Sequence, residues 1–221
     1  MKIRALAIDI DGTLTDKLRR LNFNAGELIR KLEARNVMVI LATGNALCVA
    51  DTTSTFLGTS GALIAENGGI ISYGDEVEYL ASIDEIEKAY SFLKDRLAIR
   101  EVTRNEYRKT EVALWRDYPV EEIRKILKDF RVEVVDTKFA IHIKNPDVSK
   151  GRALERVARR AGISMQEVAA IGDSSNDIDM LEKAGLSISI GSYLKDVADY
   201  TTEREYGDGG VEALKIVMNH I

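Results

Sequence analysis

The sequence predicts an α/β fold, a doubly wound parallel sheet covered by helices on both faces and interrupted by an inserted α+β unit. Three observations predict it. Short apolar runs alternate with amphipathic helical stretches at both ends of the chain. Each run stops abruptly at polar or glycine residues, as buried parallel strands do where they leave a sheet. Between about Leu80 and Pro146 the alternation gives way to consecutive strand-like segments with short links. The expected organisation is a core of residues 1–80 and 147–221 and an insert of residues 81–146.

Each element has its own signal. Ile3 to Ile8 reads as a buried strand that ends at Asp9-Ile10-Asp11-Gly12-Thr13. Asn24 is placed to cap a helix bearing Leu28, Ile29 and Leu32 at helical spacing, and Asn36 hands over to a strand, Val37 to Leu41, that ends at Thr43-Gly44-Asn45. A helix to about Leu57 precedes a strand, Ala62 to Ala65, stopped by Glu66-Asn67-Gly68-Gly69. In the insert, a charged helix near Asp84 to Leu97 is followed by a strand at Val112 to Trp115. A helix opened by Pro119 then leads to strands at Val132 to Val135 and Phe139 to Ile143. From Ser149 the first rhythm resumes: a helix over Lys150 to Ala161, a strand Val168 to Ile171 ending in Gly172-Asp173, a helix through Met180, a strand Leu186 to Ile190, and a last helix after Asp208-Gly209-Gly210.

Composition excludes several function classes. The 221 residues are 45% hydrophobic and 30% charged with only 2 Pro, a profile that rules out disorder and collagen. With 31 basic against 36 acidic residues the net charge is −5, which argues against a surface that tracks a phosphate backbone, so no nucleic-acid partner is expected. The single Cys48 and two histidines, His142 and His220, do not make a zinc site. The longest wholly apolar run is far below the ~18–20 residues of a membrane span, and no signal-peptide pattern opens the chain. A cytoplasmic protein with no membrane partner, monomeric or homodimeric, is the expectation.

The residues that stop the strands carry the chemistry. In open parallel sheets these positions converge beyond the carboxyl ends of the strands. Asp9, Asp11, Thr43, Asn45 and Asp173, joined by Lys150, Asn176 and Asp177 from helix starts, would bring carboxylates, a lysine and a hydroxyl together. Such a set suits a hard divalent cation and a phosphoryl group at once. Asp9 and Asp11 are two apart in an extended segment, so both side chains lean to one side, while Gly12 permits the tight exit and Thr13 can bond nearby backbone. Thr43 and the amide of Gly44 favour phosphate. Carboxylates four apart, Asp173 and Asp177, suit a metal at a strand-to-helix junction.

These pieces in this order, Asp9-Ile10-Asp11-Gly12-Thr13, Thr43, Lys150 and Gly172-Asp173-Ser174-Ser175-Asn176-Asp177, closely resemble the haloacid dehalogenase superfamily of phosphotransferases. With Glu66-Asn67-Gly68-Gly69 before the insert and Asp208-Gly209-Gly210-Val211 after it, the chain is similar to the branch that carries a large α/β cap on a Rossmann-like core. Sugar-phosphate phosphatases, a phosphomutase and small archaeal phosphoglycolate phosphatases belong to that branch, and the length and compact insert look most like the last. The resemblance implies a Mg²⁺-dependent phosphomonoesterase acting on a small phosphorylated metabolite, with 2-phosphoglycolate the favoured substrate. A sugar-phosphate phosphatase or phosphomutase is the alternative, and a receiver-like phospho-accepting switch a remote one.

By the same resemblance, Asp9 is the nucleophile that forms an aspartyl-phosphate and Asp11 the general acid and base. Mg²⁺ lies on the Asp9 carboxylate, the Asp11 backbone carbonyl and Asp173, with Asp177 a ligand or a supporting partner. Thr43, Gly44, Asn45 and Lys150 hold the substrate, and Asn176 orients Lys150 or the nucleophile. Many relatives have a basic residue where this chain has Asn45. For a carboxylated leaving group the candidate cations in the insert are Arg104, Lys109, Arg116, His142 and Lys144. His142 reads equally as a hydrogen-bonded sheet histidine, while Trp115 and Phe139 read as core of the insert.

Overall fold

A computed structural model describes residues 2–221. Eight strands form the main sheet, in the order β11 (Tyr200–Thr201), β10 (Leu186–Ser189), β9 (Val168–Gly172), β1 (Ala5–Ile8), β2 (Met38–Ala42), β3 (Leu63–Ala65), β4 (Ile70–Tyr73) and β5 (Glu76–Tyr79). At its centre β1 (Ala5–Ile8) lies between β2 (Met38–Ala42) and β9 (Val168–Gly172), both parallel to it. Next to β2 comes β3 (Leu63–Ala65), and next to β9 come β10 (Leu186–Ser189) and β11 (Tyr200–Thr201), all parallel.

Strand alternation distributes the two cores. Leu6, Ile8, Val39 and Leu41 face α1 (Phe23–Glu33), α2 (Leu47–Leu57) and α7 (Tyr206–Met218) on one side. Ala5, Ala7, Ile40 and Ala42 face α5 (Lys150–Arg160) and α6 (Ile178–Lys183) on the other. Both faces are buried, so the strands read as unbroken apolar runs.

The sheet does not end at β3. Ile70–Tyr73 and Glu76–Tyr79 form an antiparallel hairpin, β4 and β5, turned at Gly74 and added to the edge. Arg160 reaches Glu76 at 2.6 Å and Arg156 pairs with Glu78, so charge covers this outer strand.

Helix starts differ in detail from the expectation. The cap of α1 is Asn22, not Asn24: the Asn22 side chain accepts from the amides of Asn24 and Ala25. The last helix begins at Tyr206, ahead of Asp208, whose carboxylate accepts from the Asn22 side chain at 3.0 Å. Gly210 in that helix lies against the Thr13 carbonyl so closely that a Cβ would collide with it. This contact locks α7 onto the loop after β1.

The insert has its own core. An antiparallel sheet in the order β6-β8-β7 pairs β6 (Glu111–Leu114), β8 (Ile141–Lys144) and β7 (Glu133–Asp136). Helices α3 (Asp84–Lys94) and α4 (Val120–Ile126) cover one face, burying Ile86, Leu93 and Ile123 against Val112, Leu114, Ile141 and Ile143. The opposite face, with His142, looks toward the strand ends of the main sheet. Among the described residues no helix is long and apolar enough to cross a membrane.

Candidate active site

Three adjacent strands in register bring the motifs together. Ile8 of β1 is level with Leu41 of β2 and with Ile171 of β9, so Asp9, Thr43 and Asp173 emerge side by side. The loop after Asp9 takes a left-handed step at Gly12 (φ +88°), where a Cβ would strike the Asp173 carboxylate; glycine is required for the approach. The Thr13 hydroxyl, expected to bond nearby backbone, is buried without a partner. Thr15 does that work instead, accepting from the Gly12 amide at 3.0 Å, because the turn brings its hydroxyl back over the loop.

Lys150 opens α5 behind the Ser149 cap and is wholly buried. Its ammonium donates to Asp9 Oδ1 and to Asp177 Oδ1, both at 2.7 Å. Burial pulls Lys150 down, but Asp177 and Asp9 outweigh it and hold the lysine above its ordinary value, fully charged. Asp177 Oδ2 accepts from the Asp173 and Ser174 amides at 3.0 and 3.1 Å, so both its oxygens are engaged. Burial drives the Asp9 carboxyl well above the usual range; Lys150 opposes this, while Asp177 and Asp173 add to it. Asp173 is pushed up to about 6, chiefly by burial and then by Asp177.

The donor set fits a hard cation. Asp9, Asp173 and Asp177 each place an oxygen within 4.8 Å of the others. Asp9 Oδ2 and Asp173 Oδ1 are buried with no hydrogen-bond partner. Orphaned carboxylate oxygens carry a heavy desolvation cost that an oxygen-seeking divalent ion would remove.

Above this floor lies a cleft of about 530 Å³ shared by core and insert. Asp9, Asp11, Thr43, Gly44, Asn45 and Asn176 line it from the core. The Thr43 hydroxyl accepts from the Asn45 amide at 3.0 Å. Asn176 bonds Asn67 at 2.8 Å; Asp177, not Asn176, holds Lys150. Of the cations expected from the insert, Arg104 and His142 line the cleft. The other three turn elsewhere: Arg116 to Asp136 at 2.8 Å, Lys144 to Glu133 and the Val148 carbonyl, both at 2.6 Å, and Lys109 to the exterior. Trp115 and Phe139 lie outside the apolar core of the insert and line the cleft. His142 is a hydrogen-bonded sheet histidine, with Nδ1 2.8 Å from Glu111 Oε1, and its ring also lines the cleft.

Several participants were not evident in the sequence. Arg19, from the loop after β1, grips Asp11, with Nε 2.7 Å from Oδ1. Arg108 pairs with buried Glu111 and donates to the Gly44 carbonyl at 2.8 Å. Burial alone would raise Glu111, but His142 and Arg108 hold it below the usual range. Lys138, at the tip between β7 and β8, donates to Asp173 Oδ2 at 2.6 Å. Glu66, already singled out in the sequence with Asn67, Gly68 and Gly69, is buried and receives the Thr110 amide and hydroxyl, both at 2.7 Å, and so anchors the insert to the core.

A doubly wound sheet with this acidic cluster at its strand ends matches a known class. Residues 6–110 and 117–214 match the haloacid dehalogenase-like hydrolases, and the chain belongs to that family. Within it the chain is an enzyme, a phosphatase. A Methanothermobacter thermautotrophicus protein named phosphoglycolate phosphatase is 45% identical over 219 residues, covering 98% of this chain and 99% of that one. One of the same name from Archaeoglobus fulgidus is 42% identical, covering 98% and 97%. A crystal structure of a Thermoplasma acidophilum protein superposes with a TM-score of 0.91 at 26% identity, covering 99% of each chain.

Proposed function

We propose that this phosphatase hydrolyses 2-phosphoglycolate to glycolate and phosphate, with Mg²⁺ as cofactor and Asp9 as the phosphorylated group. The observation that carries the proposal is the Lys150–Asp9–Asp173 floor, with two bare carboxylate oxygens, under a cleft lined by arginines. The names of the full-length relatives support the substrate.

Asp9 attacks phosphorus in line, forming an acyl-phosphate bond as the ester P–O bond breaks. Asp11 protonates the departing glycolate oxygen, then takes a proton from the water that attacks the aspartyl-phosphate and frees Asp9. Lys150, the Thr43 hydroxyl and the Gly44 amide hold the transferring oxygens, with the Asn45 side chain beside them, and fixed charge does most of the work there. Asp9, Asp173 and the Asp11 carbonyl would hold the Mg²⁺, which when bound neutralises charge on the phosphoryl oxygens. Asp177, with both oxygens engaged, supports Lys150 and the 173–174 turn. Asn176, bonded to Asn67, ties the core wall of the cleft together.

In this reading residues 1–80 and 147–221 are the catalytic core and 81–146 a cap that excludes water. The enzyme works in the cytoplasm as a monomer or homodimer.

Phosphate release from a panel of phosphorylated metabolites tests the substrate. Turnover is expected to be highest on 2-phosphoglycolate; preference for a hexose phosphate, or an isomerised product without free phosphate, would replace the reading with a sugar phosphatase or a mutase.

The metal has its own test. Because the Asp173 carboxyl is raised to about 6, its contribution to the stability of the cation-free protein is full below about 3.8 and lost as pH rises through about 6. A cation should therefore stabilise most where Asp173 is ionised. At about 100 times its Kd, Mg²⁺ is expected to raise Tm by about 5–10 °C at pH 7.5 and much less at pH 5, with reversal by chelator. Equal shifts at both pH values would speak against these ligands.

A further inference from the structure

We propose that Arg19 is the residue that recognises the carboxylate of the substrate, taking it in place of the Asp11 carboxylate that it now holds. The inference rests on the phosphoglycolate reading and deepens it.

The argument starts from the connectivity of the substrate. In 2-phosphoglycolate a single methylene separates the ester oxygen from the carboxylate. Whatever side chain reaches the ester oxygen must therefore adjoin whatever binds the carboxylate. Asp11 is the first of these. The cation in contact with Asp11 is Arg19, whose Nε is 2.7 Å from Asp11 Oδ1 and whose Nη2 is 3.2 Å from Oδ2. The same Nη2 donates to Asn45 Oδ1 at 3.0 Å, which fixes the plane of the guanidinium at the cleft wall. A planar fork already engaged by one carboxylate is suited to another.

The loop is shaped to present this side chain. Residues 15 and 21 close it through a bridge, and the Asp16 carboxylate accepts from the amides of Leu18 and Arg20 at 2.8 and 3.0 Å. Arg19 takes a left-handed conformation (φ +63°), unusual for a side chain of its size. Its guanidinium lies 5.7 Å from the centre of the Phe139 ring of the insert, so it is poised where core and insert meet. The side chain is 46% exposed, leaving it room to turn from Asp11 toward a ligand.

The other cations are less well placed. Arg108 is committed to Glu111 and the Gly44 carbonyl. Arg104 lines the cleft but makes no contact with Asp11 among the described residues. Handing Arg19 to the substrate also releases Asp11 to face the ester oxygen, so a phosphate ester without a carboxylate leaves the resting pair undisturbed.

The test compares 2-phosphoglycolate with ethyl phosphate, which lacks only the carboxylate, on wild-type protein, Arg19→Gln, Arg19→Lys and Arg104→Gln. For Arg19→Gln the KM for 2-phosphoglycolate should rise about 10- to 100-fold, from loss of a charged hydrogen-bond pair. Its kcat/KM on ethyl phosphate should not fall and should rise, because without Arg19 the Asp11 carboxylate is free to face the ester oxygen, and Arg19→Lys should recover part of the loss on 2-phosphoglycolate. An equal fall on both esters, no change on either, or transfer of the effect to Arg104→Gln overturns the proposal. Wild-type protein that hydrolyses ethyl phosphate as well as 2-phosphoglycolate overturns the substrate reading itself. Wild-type preference that survives in Arg19→Gln overturns only the role of Arg19.

Discussion

Replacing Asp9 by asparagine is expected to reduce turnover of any phosphate ester by at least about 10⁴-fold while the protein stays folded. The amide is isosteric but a poor nucleophile, so no acyl phosphate forms and the residual rate reflects binding and charge alone. Stability should not fall. The carboxyl of Asp9 is held well above its ordinary range by burial, with Asp177 and Asp173 crowding it, so loss of its charge relieves repulsion at neutral pH. Phosphate release from an aryl phosphate, with a thermal melt on the same sample, reads both halves. Substantial activity in a folded variant would remove Asp9 from the mechanism.

Lys150→Met should strike stability and activity together. The ammonium is the buried counter-ion of two carboxylates, and its removal leaves Asp9 and Asp177 facing each other unpaired. Breaking a buried pair from one side costs about 3–5 kcal/mol, which in a chain of this length lowers Tm by about 10 °C or more. The sign of the pH dependence follows. Burial already makes Asp9 hold its proton more tightly in the folded state than in the unfolded chain, and without Lys150 to oppose it this tightens further, so the loss should be larger at pH 8 than at pH 5. Activity should fall about 10²- to 10³-fold, the usual consequence of losing one charged donor to a reacting phosphoryl group. A variant as stable as the wild type at pH 8 would mean that the acids are not paired as described.

The strand ends were legible because burial and chemistry change at the same residue. An apolar run such as Ala5–Ile8 cannot be extended by Asp9 without leaving the sheet, and the same holds at Thr43 and Asp173. Lys150 was legible from its place at a helix start. The β4–β5 hairpin was not, since Glu76–Tyr79 is short and largely exposed and carries charge at alternate positions like a loop. Arg19, Arg108 and Lys138 escaped notice for a different reason. Each is a long side chain on a loop that acts well away from its own backbone, and no local spacing records where a guanidinium or ammonium will land. The same reach explains why Lys109, Arg116 and Lys144, near the cleft in sequence, serve elsewhere. The Asn22 cap was missed because either asparagine satisfies the local rule, and only the path of the chain decides between them.

The insert touches the floor of the cleft unequally at its two margins. At one, Glu66 is clasped by main-chain amides and a hydroxyl out of reach of solvent. At the other, a half-exposed ammonium, Lys138, rests on Asp173, and the Ser175 hydroxyl donates to the Asp136 carbonyl. Were the insert to swing, Glu66 would be its fulcrum and Lys138 its latch. Ionic strength, which screens exposed charge and spares buried bonds, would ease the latch and leave the fulcrum in place.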